Sequence, residues 1–188
     1  QFIWPKNTSL TKVIKNKPPG TDIKNIWEIA RFQFLAVLAY AYILTRDEKY
    51  AYFAIHKIEN WIDQNPFLHG PHWACAMETA IRLTNWVFYL PWLDVPKLSN
   101  TDFLNKLAAS LLEHLIFIRE NLEVYLPHSN NHYLANLAGL LLAPRIFPSL
   151  PWARKCASFA KSELEKEILI QFHKIGINFE GSLSYHRL

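Results

Sequence analysis

The sequence predicts an all-α fold: a double-layered, curved array of antiparallel helical hairpins. Three observations carry this reading. Breaks at Pro18-Pro19-Gly20, Asn65-Pro66, Gly70-Pro71, Pro91, Pro127, Pro144, Pro148 and Pro151 divide the chain into segments of helical length. Alternating β-branched runs are scarce between the breaks. The segments also differ in polarity: 32–44 and 133–143 are apolar nearly all round, whereas 100–122 and 150–172 carry charged faces. A helix without a polar face must be surrounded by others, so the apolar segments belong to an inner layer. Short connections make consecutive helices antiparallel.

The spacing predicts six helices, at 22–45, 47–64, 73–90, 100–122, 130–143 and 150–172. Thr45-Arg46-Asp47-Glu48 has the form of a capping box, in which the Thr hydroxyl and the Glu carboxylate each satisfy an orphan N–H. Asn100 or Thr101 caps the fourth helix, whose Phe103, Leu104, Leu107, Leu111, Leu115 and Ile118 recur at helical spacing. Ser149 precedes Leu150-Pro151, where an early proline is tolerated because its missing N–H has no partner anyway. After Phe172 the glycines and alternation of 173–181 read as a loop or short strand.

Composition narrows the function. The 188 residues are 51% hydrophobic, with a net charge of +4 and two cysteines. That is one substantial domain with a proper core, neither disordered nor disulfide-stapled. The most lipid-like stretch, Phe34–Leu44, has eleven residues, against about 20 for a membrane span, so it reads as a core helix and no span is expected. No secretory signal opens the chain and it does not begin with Met, so it reads as a piece of a longer protein. No Gly-rich phosphate loop is present, and the lysines are scattered rather than massed, which argues against nucleotide and nucleic-acid partners.

Three polar clusters carry chemistry. Ser129-Asn130-Asn131-His132 crowds four hydrogen-bonding residues into one helix start. One residue suffices as a cap, and a helix N-terminus favours an anion. The second cluster, Asn178 to Arg187, holds Tyr185 beside His186 and Arg187, and nearby positive charge favours phenolate. The third is Gly70-Pro71-His72-Trp73 with Glu78 and Arg82 one turn apart, either an ordinary ion pair or one wall of an aromatic groove. His69-x-x-His72-x-x-Cys75 imitates metal-ligand spacing but lacks a fourth ligand, so no metal is expected there. Cys75 and Cys156 read as buried free thiols.

DIKNIWEIARFQFLAVLAYAYILTRDEKYA, WIDQNPFLHGPHWACAMETAIRLTNW, HSNNHYLANLAGLLL and NFEGSLSYHRL occur in the order found in the heparinase II/III family. The chain resembles that family's N-terminal region from about Asp22 to Arg187. The resemblance implies an incomplete α/α toroid, over 22–188 and truncated at its C-terminus, after an extended segment at 1–21. It further implies a β-sandwich domain of the same polypeptide, absent from this chain, and a further catalytic His from that region. The family acts on uronic-acid polymers. By resemblance, Asn131 and His132 match the turn that binds the substrate carboxylate. Tyr185, 54 positions after Asn131, matches the residue that handles protons.

The expected activity is therefore β-elimination on an acidic polysaccharide: a glycosaminoglycan, an alginate or a bacterial exopolysaccharide. Asn131, His132 and Tyr185 are the expected catalytic residues. His72, Trp73, Glu78, Arg82, Asn130 and His186 are expected to bind substrate or support the groove. Trp73, Trp86 or Tyr133 would offer stacking faces, and Trp27, Glu28 and Arg31 would pack the first helix. No cofactor is required. A periplasmic or secreted location is the expectation. Alternative readings are a non-catalytic polysaccharide-binding toroid, a glycoside hydrolase using Glu78 and Glu180, and a helical scaffold for protein partners.

Overall fold

The computed structural model describes residues 20, 22–125, 129–179 and 181. The expected extended segment at 1–21 falls outside these, apart from Gly20, and so do Glu180, Tyr185, His186 and Arg187. The described chain is built from α1 (Lys24–Ala30), α2 (Leu35–Thr45), α3 (Lys49–Gln64), α4 (Ala76–Tyr89), α5 (Val95–Leu98), α6 (Thr101–Glu120), α7 (Asn131–Leu141), α8 (Ala143–Ile146) and α9 (Pro151–Gln171). Two 3₁₀ turns, Pro71–Trp73 and Leu90–Leu93, flank α4. Among the described residues there is no strand; an isolated antiparallel bridge joins Phe172 and Asn178 in the expected loop.

α4 is the centre of the layer. Its Ala76 and Trp86 join a core with α1, α2 and α3, while its Ala80, Leu83 and Val87 face a second core with α6, α7 and α9. Gly139 of α7 permits the close crossing of α4: a Cβ there would lie 3.0 Å from Ala80 Cβ and 3.3 Å from Ile118 Cδ1. Alanine is the better helix former by about 1 kcal/mol, but overpacking against a neighbouring backbone costs about 1–3 kcal/mol. Gly139→Ala is therefore expected to lower the urea midpoint modestly. A raised midpoint would mean that the two helices separate freely.

Several local expectations change. The first helix is two helices, because Phe32 adopts a left-handed conformation at φ 58° and its ring turns into the core. Lys24–Thr45 is the one stretch among the described residues that is long and apolar enough to cross a membrane, at 22 residues and mean hydropathy 1.3. The break at Phe32 interrupts it. α2 is also not enclosed: Leu35, Ala39 and Tyr42 are buried, whereas Val37, Tyr40 and Leu44 are exposed. By contrast α7 is surrounded by α4, α6 and α9, as its composition implies.

The capping box at Thr45 does not form. The Thr45 hydroxyl donates back to the Ala41 carbonyl and accepts from the Asp47 N–H, while Asp47 accepts from the Lys49 N–H. Asn100 does cap α6, accepting from the Phe103 N–H at 2.8 Å. Leu150 stands at the N-cap of α9, with no side-chain cap hydrogen bond.

Candidate active site

The hairpin topology brings five chain ends to one rim. α3 arrives there at Gln64, α4 departs at Ala76, α6 arrives at Glu120, α7 departs at Asn131 and α9 arrives at Gln171. Hydrogen bonds tie these ends together: Trp73 Nε1 donates to the Asn65 carbonyl at 3.2 Å, and Gln171 Nε2 to the Asn130 carbonyl at 3.3 Å.

The Asn-Asn-His turn divides its duties. Asn130 is the N-cap of α7, its side chain accepting from the His132 N–H at 3.0 Å. That is the capping role, which occupies the oxygen that a substrate donor would otherwise meet. Asn131 is 8% exposed, yet its Nδ2 has no hydrogen-bond partner among the described residues. It lines a cavity of about 260 Å³ with Met77, Ile81, Leu134, Phe172 and Asn178. A buried amide donor left unmade costs about 1–3 kcal/mol, and this one sits in the first turn of α7.

His132 is held by a residue that the sequence reading did not single out. Its Nδ1 lies 2.9 Å from Glu123 Oε1. Glu123 Oε2 accepts from the Met77 N–H at 2.7 Å and from Asn136 Nδ2 at 3.3 Å, and the Glu123 N–H donates to Asn136 Oδ1. Burial pushes the Glu123 carboxyl upward, but the His132 hydrogen bond and charge, with the Met77 and Asn136 donors, hold it below the ordinary glutamate range. The Tyr125 ring stands edge-on to His132 at 6.5 Å and is half exposed.

Cys75 Sγ lies 3.4 Å from Glu123 Oε1 and 3.9 Å from His132 Nδ1. These three groups could hold a cation, since their ligand atoms lie within 4.8 Å of one another. Hydrogen bonding accounts for the spacing better. Burial, reinforced by the Glu123 charge, pushes the Cys75 thiol up to about 12, so it keeps the proton that it donates to Glu123. The 2.9 Å between Glu123 and His132 is also short for two ligands each about 2.0–2.1 Å from a tetrahedral zinc. The His69, His72, Cys75 spacing does not assemble: His69 is exposed and bonds the Phe67 carbonyl.

The residues expected around His72 lie mostly in the core. Trp73 and Arg82 are each 1% exposed and Glu78 is 2% exposed, which removes them from contact with a polymer. Glu78 does not pair with Arg82 one turn away; it takes Arg31, the C-cap of α1, in two hydrogen bonds of 2.6 and 2.8 Å. With the Trp27 indole donating to the Pro71 carbonyl, this pair fastens α1 to the rim. The Arg82 guanidinium lies 4.1 Å from the Trp61 ring centroid and donates through Nε to His114 Nε2 at 2.8 Å. Burial pulls Arg82 down to about 9, still charged at neutral pH. Trp86 and Tyr133, at 0% and 3% exposure, are likewise unable to stack on a sugar. His72 lines a second cavity, about 310 Å³, with Phe34, Lys57, Trp61, Gln64 and Asn65. Its buried Nδ1 has no hydrogen-bond partner among the described residues, and burial, with the nearby Arg82 charge, lowers His72 to about 3.

A helical hairpin layer with its polar groups gathered at one rim is a segment of an α/α toroid. The model of the heparinase II/III N-terminus matches residues 4–188, and the chain belongs to that family. Among solved structures it resembles heparinase III (the BT4657 gene product) with methylated lysines, at TM-score 0.69 and 21% identity over 88% of this chain. It also resembles a heparinase III of the same description without the methylation, at TM-score 0.65 and 23% identity over 87% of this chain. The chain spans 28% of the length of each. No curated protein sequence matches it.

Proposed function

We propose that this chain is the carboxylate-gripping part of a polysaccharide lyase that cleaves a uronic-acid polymer by β-elimination. The observation that carries the reading is Asn131 at the first turn of α7, which lines a cavity and whose buried Nδ2 has no hydrogen-bond partner among the described residues. The α-proton of a uronate is a very weak acid, because its removal places a second negative charge beside the carboxylate. Donors aimed at that carboxylate stabilise the enediolate-like transition state, each by about 3 kcal/mol. In this reading Asn131 and His132 supply them, and Tyr185 takes the proton as phenolate and returns it, as phenol, to the leaving glycosidic oxygen. General acid–base steps of this kind contribute about 10²–10⁴-fold.

The hydrolase alternative requires two carboxylates across a groove. Glu78, buried at 2% and paired with Arg31, is not available as one of them. The test is a panel of uronate polymers, with the full-length polypeptide, monitored for the ultraviolet absorbance of an unsaturated product. Cleavage of one polymer with that absorbance is expected, and Tyr185→Phe should lose at least about 100-fold in turnover. Reducing ends without unsaturation would replace the lyase with a hydrolase. Binding without cleavage would leave a carbohydrate-binding toroid, and near-normal turnover in Tyr185→Phe would remove that residue from the chemistry.

A further inference from the structure

We propose that the cavity between α1 and α3 is a second sugar-binding subsite, which takes one acidic unit of the polymer away from the Asn131 turn. The polymer in this proposal rests on the lyase reading; the preference for an anionic sugar does not. At about 310 Å³ the cavity is at the lower end of small-molecule sites, about 300–1,000 Å³, which suits a single sugar ring. Its walls differ in chemistry: Ile29 and Phe34 present carbon, whereas Lys57, Asn60 and Trp61 of α3 bring polar groups. A pyranose has the same division, with apolar C–H faces and a rim of hydroxyls. Trp61 is 8% exposed and its ring is fixed by edge contacts with Phe32 and Trp86. Its buried Nε1 has no hydrogen-bond partner among the described residues, nor has the buried Nδ1 of His72, which lines the same cavity. Hydroxyl groups, directly or through a bridging water, satisfy polar atoms of this kind.

The charge around the cavity selects an anion. Lys57 is the one charged side chain that lines it among the described residues; it is exposed, with its ammonium 5.1 Å from the Phe53 ring centroid. A second cation, the buried Arg82, lies against the Trp61 ring at 4.1 Å. Among the described residues its hydrogen bonds go to His114 Nε2, the His72 carbonyl and the Thr79 hydroxyl, none of them an anion. A buried cation without an ion pair is costly, and its field favours negative charge nearby. The carboxylates of the two helices are engaged elsewhere: Glu59 and Asp63 of α3 with Lys106, while Glu28 of α1 acts on Arg31. Residues 1–21 add four lysines and no acidic side chain. The subsite also lies on the rim of the Asn131 turn. His72 here and Met77 in the Asn131 cavity are five residues apart, at most about 18 Å of chain, a span of a few sugar units.

The experiment uses the full-length polypeptide carrying Tyr185→Phe, so that an oligosaccharide binds without turnover. The probes are hexasaccharides of galacturonate, of guluronate, and of alternating glucuronate and N-acetylglucosamine. Calorimetry should show at least one of them bound. Lys57→Gln in that background should weaken it about tenfold, the loss of one charge-assisted contact, and Trp61→Phe about threefold, the loss of a neutral one. Lys155→Gln, the same charge change at an exposed position of α9, should stay within about twofold of the parent. With Tyr185 restored, Lys57→Gln should raise KM and leave kcat, because a remote contact is made equally in the ground and transition states. If Trp61→Phe fails to fold, the exposed Lys57 still decides the matter. Equal losses in Lys57→Gln and Lys155→Gln, or no loss in either, would overturn the subsite, and an unsaturated product formed all the same would leave the lyase reading standing. Lys57-dependent binding with no unsaturated product from the Tyr185 protein would support the subsite and overturn the lyase reading. A polypeptide that binds none of the hexasaccharides would overturn both.

Discussion

Asn131→Ala is expected to lower uronate elimination by about 10²–10³-fold, the loss of one preorganised donor, with a much smaller effect on folding stability. The dissociation of the two effects is the informative part. A buried side chain that made structural hydrogen bonds would lose both together. The Asn131 Nδ2 makes none within the described chain, so its removal deletes no native hydrogen bond and relieves an unmet donor. The cap of α7 stays in place because Asn130, not Asn131, accepts from the His132 N–H. Chemical denaturation and initial-rate measurements on the same preparation check both halves. A variant that unfolds early would make Asn131 a packing residue.

Acid should unfold this domain earlier than its carboxylates alone would, with stability falling by about 2.7 kcal/mol per pH unit below pH 6. The cause is a pair of histidines kept neutral in the core. His114 is fully buried and held well below its ordinary value by burial and by the Arg82 charge, and His72 is lowered to about 3. The tautomer of His114 is fixed by its neighbours. Nε2 accepts from the Arg82 guanidinium, which has only donors, and Nδ1 donates to the Ser110 carbonyl. Both folded values are depressed, so as pH falls below about 6.5 the unfolded chain takes up two protons that the folded one refuses. Each refused proton costs about 1.4 kcal/mol per pH unit. By pH 4.5 the loss approaches about 5 kcal/mol, comparable with the lower end of total domain stability. His114→Gln, which can still accept from Arg82 and donate to Ser110, should roughly halve the slope of unfolding free energy against pH. An unchanged slope would show that His114 titrates normally.

The long helices were legible because their physics is local. The caps and apolar periods of α6 and α7 lie within their own sequences, and the Asn100 cap forms as read. The break in the first helix was not legible: no Gly or Pro marks Phe32, whose left-handed backbone is imposed by seating its ring against Trp61 and Trp86. Spacing misled at Glu78 and Arg82. An i, i+4 pair on an exposed helix face would join them, but α4 is buried on nearly every side. Each instead meets a partner from elsewhere, Arg31 and His114 respectively. Glu123 was invisible for the opposite reason. It lies in a segment without a motif, and only the folding of α4 and α7 around it creates its partners. The sequence offers two asparagines at 130–131 for one cap; that Asn130 caps α7 and the Asn131 Nδ2 stays unbonded within the described chain required coordinates.

The most direct test of the account is a crystal structure of the full-length polypeptide bound to a uronate oligosaccharide, captured with Tyr185→Phe to prevent turnover. The expected result is a sugar carboxylate oxygen within about 2.7–3.2 Å of Asn131 Nδ2, at the mouth of the cavity beside Phe172 and Asn178, with His132 Nδ1 still on Glu123. A bound oligosaccharide whose carboxylates all lie elsewhere, with the Asn131 amide as unpartnered as before, would contradict it.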